Sequence, residues 1–145
     1  MSENASPRAV FDRLISAVTG RRWEELPELY AEDTVVRHPF GPPGGWVLHG
    51  REEIREHFAR GAALPLEMRA EDVCVHQTAD PEVIIAEFQY VGRFTDTGRR
   101  LEVPNIFVLR VRDGQIVESR DYVDHLAFAV AGGRLKEVVG AFADD

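Results

Sequence analysis

One cysteine, Cys74, stands among 145 residues. A lone thiol excludes an intrachain disulfide and a cysteine-rich metal site. Basic charge is scarce too: 17 Lys and Arg residues face 25 Asp and Glu residues, for a formal net charge of −8. That balance argues against nucleic acid and against an anionic membrane surface, because both need a basic face. No apolar run approaches the ~18 residues of a membrane span, so no membrane partner is expected. Met1 to Pro7 is polar and lacks the apolar core of a signal peptide, which makes the cytoplasm the expected location. His, Cys and acidic residues show no tight ligand spacing, so neither a metal nor a cofactor is expected. No repeat and no linker divides the chain. One domain over residues 1–145 is expected, with residues 1–6 flexible.

Periodicity supplies the elements. Ser6-Pro7 reads as a helix start, followed by Val10, Phe11, Leu14, Ile15 and Val18 at helical spacing. A second short helix is expected over Trp23 to Tyr30, a strand over Thr34 to His38, and a loop over Gly41 to Gly45. A third helix is expected over Arg51 to Arg60. Strands follow over Met68 to Gln77, Val83 to Phe94, Leu101 to Arg112 and Gln115 to Asp124, with Arg112-Asp113-Gly114 as a hairpin turn. Leu126 to Phe142 reads as helix broken at Gly132-Gly133. Helices first and a four-strand antiparallel meander after make an α+β fold. One strongly curved antiparallel sheet wrapped around N-terminal helices forms a cone. Its apolar internal cavity is suited to a hydrophobic small molecule.

Strand alternation sorts side chains between the two faces. Arg110 and Arg112 belong outside, so Asn105, Phe107, Leu109 and Val111 face in. Glu118 and Arg120 belong outside, so Val117, Ser119, Asp121 and Val123 face in. Ala86, Phe88 and Tyr90 face in, opposite Glu87 and Gln89. The polar groups of the cavity are then His38, Asn105, Ser119 and Asp121. An inward carboxylate facing an inward imidazole makes an acid–base pair whose members shift one another. The competing readings are a loop-edge His38 bonded to a carbonyl and an Asp121 paired with Arg120. Trp46 either caps the cavity or packs on the third helix. Phe88 and Tyr90 read as cavity wall. His49 could approach His38 across one loop, His57 reads as solvated, and Cys74 reads as strand packing.

Tyr30-Ala31-Glu32-Asp33, Thr34-Val35, Pro39-Phe40-Gly41 and Gly50-Arg51-Glu52-Glu53-Ile54 resemble the nuclear transport factor 2-like superfamily. The likeness is to its ketosteroid isomerase and SnoaL-like polyketide cyclase branch. Val108-Leu109-Arg110-Val111, Gly114-Gln115-Ile116-Val117 and Arg120-Asp121-Tyr122 extend it over roughly residues 8–125. The resemblance implies one SnoaL-like domain and a homodimer through the sheet. It also implies that His38 stands where the isomerases keep a general-base Asp. Leu14 falls where they keep an oxyanion Tyr, and Phe107 where they keep a protonated Asp. An oxyanion donor is worth about 2.7–4 kcal/mol in the transition state, so steroid isomerisation by that route is not expected.

The expected function is a cofactor-independent isomerase or cyclase acting on a hydrophobic, carbonyl-bearing, polyketide-like molecule. His38 and Asp121 share proton transfer, and Leu14, Trp46, Phe88, Tyr90, Asn105, Phe107 and Ser119 surround the substrate. Asn105 and Ser119 are expected to position its carbonyl. A non-catalytic binding protein on the same scaffold is the first alternative. An epoxide hydrolase-like enzyme is another, although that chemistry needs an inward Asp/Arg/Asp set and no inward Arg is expected. A structural role through Glu87, Gln89, Arg110 and Glu118 on the outer face is the last.

Overall fold

The computed structural model describes residues 5–143. Of the start expected to be flexible, residues 1–4 lie outside the described residues. The Ser6 side chain accepts from the Ala9 N–H and caps α1 (Pro7–Thr19), with Pro7 at the first position. After α1 come β1 (Tyr30–His38), β2 (Trp46–His49), α2 (Gly50–Ala62), β3 (Leu66–Gln77) and β4 (Val83–Phe94). β5 (Arg100–Arg112), β6 (Gln115–Val123), α3 (His125–Ala131) and α4 (Leu135–Ala143) complete the order.

One six-stranded sheet holds all the strands in the order β2-β1-β6-β5-β4-β3. The α+β class and the curled sheet around N-terminal helices are as expected, with three differences. The sheet is mixed, since β1 runs parallel to β6. Trp46 to His49, outside any expected strand, pairs antiparallel with β1. The second helix is two 3-10 turns, Trp23–Glu25 and Pro27–Leu29, and Tyr30 already opens β1. Pro27 explains the last difference, because a ring in place of the N–H cannot continue a helix from the preceding turn.

The core sits between α1 and the concave face. Val10, Phe11 and Leu14 from α1 meet Ile84, Ala86 and Phe88 from β4 and Phe107, Leu109 and Val111 from β5. Phe11 and Phe107 each set an edge against Phe88, at ring-centroid distances of 5.5 and 5.0 Å. A second cluster, Leu66, Phe94, Leu101, Val103 and Ala131, lies near α3. At Gly92 the strands come so close that a Cβ would overlap the Glu67 carbonyl oxygen, so only glycine fits. The inward register of β5 is as expected. In β6 the pairing slips between Arg110 and Val111, and Ile116 is fully buried where Val117 was expected. The slip is a bulge, and a bulge resets which residues face the core. On the outer face Glu87, Gln89, Arg110 and Glu118 already have partners within the chain: His76, Asp72, the Asp80/Glu82 pair and Arg120.

β1 docks on β6 through a fully buried hydroxyl: Thr34 Oγ1 donates to the Ile116 carbonyl at 2.8 Å. This bond bridges the stretch between Tyr30 and Val35 where the ladder is irregular. Thr34→Val keeps the shape and leaves that carbonyl without its partner. We expect a loss of roughly 1–3 kcal/mol in urea unfolding. An unchanged midpoint would show that the hydroxyl does not anchor the pair.

Candidate functional site

Three elements build the site. β1 alternates so that Thr34, Val36 and His38 are buried. The parallel ladder sets Val36 beside Ser119 and Arg37 beside Arg120. One step further, the same ladder carries His38 to Asp121. The two side chains are almost wholly buried, and His38 Nε2 lies 3.7 Å from Asp121 Oδ2. Asp121 has no link to Arg120, whose guanidinium turns to Glu118 instead. Ser119 donates a short hydrogen bond to Asp121 Oδ1. On the other side of Asp121, β5 places Phe107 directly opposite.

The His38 ring is covered by Trp46, stacked at 3.8 Å between centroids and 17° between planes. Trp46 faces His38 across the β1/β2 pair. Gly41 makes room for this, since a Cβ there would run into the Trp46 indole. His49, expected to be able to approach, is exposed and lies opposite Val35. His57 and His125 come instead, with ring centroids 5.8 and 5.4 Å from His38. His57 is half-buried, not solvated as expected, because α2 turns it toward Trp46. The spacing of Ile54 and Phe58 could have shown that His57 sits beside the buried face. Nothing in the sequence marked His125, the first residue of α3. Tyr30, expected at a helix end, was also missed; it is buried, and the negative charge of Asp121 acts on it.

The other expected residues divide by surroundings. Leu14 and Phe107 are buried and apolar, and give the site no hydrogen-bond donor. Phe88 and Tyr90 meet edge to face at 5.1 Å. Asn105 is buried, but its amide donates to the Val103 carbonyl at 3.0 Å and its Oδ1 has no partner. The free atom is thus an acceptor, where a donor to a substrate carbonyl was expected. Phe88 and Asn105 line a groove of about 720 Å³ together with Phe40, Ile106, Tyr122 and His125. His38 and Asp121 do not line it. His125 belongs to both places, and its Nε2 is buried without a partner, as is His38 Nδ1. No arginine is among the buried polar residues of the described chain, so the Asp/Arg/Asp set of an epoxide hydrolase is not assembled.

Burial governs the protonation of the cluster. Loss of water pushes the Asp121 carboxyl up to about 7, against the opposing pull of the Ser119 hydroxyl. Burial, then the charges of His57 and His125, lowers His38 to about 3. Burial, then Arg60 and His125, lowers His57 to about 4, and burial lowers His125. Burial first and Asp121 second raise the hydroxyls of Tyr30 and Tyr90. Both shifts in the central pair favour a neutral imidazole beside a protonated acid over an ion pair. Near neutrality Asp121, not His38, is the group that changes charge.

These directions have a consequence for stability. His38 and His57 give stability that is complete above 6.5 and is lost as pH falls toward their folded values. Asp121 acts oppositely: its contribution is complete below 3.8 and is lost as pH rises through about 7. Two imidazoles oppose one carboxyl, so stability should fall on acidification from about 6.5 to about 5. His38→Gln should flatten that slope and Asp121→Asn should steepen it, read as urea midpoints against pH. An identical slope in all three proteins would refute the assignment.

Comparison with known proteins places this geometry in a family. The SnoaL-like domain family matches residues 11–119. An uncharacterized PhzA/B-like protein of Pseudomonas aeruginosa is 37% identical over 123 residues, covering 83% of this chain and 84% of that one. The uncharacterized YesE of Bacillus subtilis is 31% identical over 110 residues, covering 73% of each. Among solved structures, a Bacillus subtilis protein proposed to be an isomerase superposes with a TM-score of 0.83 at 26% identity, over 92% of this chain and 97% of that one. A Pseudomonas putida protein proposed to be a polyketide cyclase shares the fold, with a TM-score of 0.73 at 16% identity over 90% and 98% of the two chains. The curled sheet, the helices in its hollow and the matched span agree: the chain belongs to the SnoaL-like domain family of the nuclear transport factor 2-like fold.

Proposed function

We propose that the protein is a cofactor-independent acid–base enzyme, an isomerase or cyclase, acting on a hydrophobic molecule that carries a carbonyl. The observation that carries this reading is the buried His38–Asp121 pair at 3.7 Å. Asp121, pushed up to about 7, is the base. A carboxylate with its proton affinity near the working pH combines availability with driving force. Its ionised form takes the proton from the carbon next to the carbonyl. The electron pair moves onto the carbonyl oxygen. His38, held neutral by burial, donates its ring N–H to that oxygen. A neutral imidazole is a suitable electrophile there, and it supplies a donor that Leu14 and Phe107 do not. The enolate is then reprotonated elsewhere, which is isomerisation, or attacks a second carbonyl of the same molecule, which is cyclisation. The apolar side chains of Leu14, Phe88 and Phe107 in the same core suit a hydrophobic ligand.

The buried apolar side chains of Leu14 and Phe107 favour a second reading, a protein that binds such a ligand without converting it. Proton exchange at the α-carbon of hydrophobic 1,3-diketones in heavy water, followed by NMR, separates the two. Exchange by the wild-type protein should rise with pH through about 7 as Asp121 ionises. Asp121→Asn should slow it by about 10²–10⁴-fold. His38→Phe should slow it by about 10²–10³-fold while circular dichroism stays unchanged. Exchange at the wild-type rate in both variants would sink the enzymatic reading. A diketone that binds tightly and neither exchanges nor changes would support the binding protein.

A further inference from the structure

The outer face of the sheet carries a second cluster that the buried pair does not explain. Cys74, His76 and Glu87 are all exposed, and one donor atom of each lies within 4.8 Å of the others. Cys74 Sγ is 3.6 Å from His76 Nε2, and His76 Nε2 is 2.7 Å from Glu87 Oε2. Cys74 was expected to be strand packing without a histidine nearby; it has one, and its thiol is in water.

Strand parity shows how the cluster arises. In the first half of β3, Met68 and Ala70 pack against the core, while Glu71 is paired with the outward Gln89. Cys74 and His76 have the same parity as Met68 and Ala70 and would point into the cone in a regular strand. They do not, because the ladder slips between Glu71 and Cys74. Three steps along β3 match two along β4, so one extra residue is accommodated. Asp72 there takes a positive φ of 55°, and its carboxylate accepts from Gln89 Nε2 at 3.0 Å. After the bulge Val75 packs on the core, and Cys74 comes out directly opposite Glu87 with His76 two residues on. Thiol, imidazole and carboxylate then share one patch of rigid sheet.

We propose that Cys74, His76 and Glu87 bind a borderline-soft divalent cation of the Zn²⁺ type, with water in the fourth position. Thiolate, imidazole and carboxylate are the donor types that such an ion takes. With usual bond lengths, a tetrahedral site separates sulfur from nitrogen by about 3.5 Å, close to the distance present. The His76–Glu87 hydrogen bond must open by roughly 0.7 Å, to the usual separation of two ligand atoms. Glu87 can make that change by rotation, because its side chain is half in water. The ion would clip β3, the edge strand, to its neighbour β4. This site is independent of the buried pair and of the proposed reaction.

The test uses the untagged full chain, kept reduced with a non-chelating phosphine. Native mass spectrometry should count one Zn²⁺ per chain, and Co²⁺ should give a thiolate charge-transfer band. Cys74→Ser should remove that band. His76→Ala and Glu87→Gln should each weaken Zn²⁺ roughly tenfold or more by competition with a chromophoric chelator. His49→Ala, on β2 at the opposite edge of the sheet, should leave binding intact. A wild-type chain without Zn²⁺, or binding that survives Cys74→Ser with no band from Co²⁺, would overturn the proposal.

Discussion

The pairing of β1 with β6 is the constraint on which the rest depends. It is the sheet's one parallel contact among the described strands, and no short turn enforces it. Its register is held by a fully buried hydroxyl and by the match of Val36 with Ser119. A slip of one residue would turn His38 outward and bury Arg37. With the register kept, an imidazole and a carboxyl face each other in a dry wall. Everything proposed for the interior follows from that meeting.

Dry surroundings also decide what the meeting can do. Water would let both groups ionise independently. Here burial raises the acid and lowers the base, so the pair rests uncharged below about 7, and above it only the acid is charged. A neutral pair is far less costly to bury than two ions whose attraction must repay their desolvation. Trp46 over the ring and Phe107 opposite the acid maintain that dryness. The scaffold is common property of the family.

Much of this was legible in the residues. The alternation of β5 separates Arg110 and Arg112 from Asn105, Phe107 and Leu109, and that contrast identifies the inner face without any knowledge of partners. Glu118 and Arg120 do the same for Asp121. What escaped was non-local or irregular. Trp46 to His49 is only four residues long and follows a Pro/Gly loop, so its strand character comes from β1 and not from its own pattern. His57 and His125 converge on His38 from two helices, a fact of packing that spacing along one helix cannot show. The bulges in β3 and β6 each shift parity by one residue. Alternation predicts Val117 inside and leaves Cys74 unexplained, because it presumes an unbroken period of two.

The separation of Thr34 from Ile116, 82 positions along the chain, has a consequence in time. Contacts so distant in sequence form late, since the intervening chain must first be closed into a loop. During synthesis, β1 leaves the ribosome long before the strand it must lie against. A chain made as far as β5 holds His38 and Trp46 but has no Asp121 to set beside them. His125 arrives later still. The buried polar cluster is thus among the last features of the fold to exist. Chains that end before β6 lack the His38–Asp121 pair altogether.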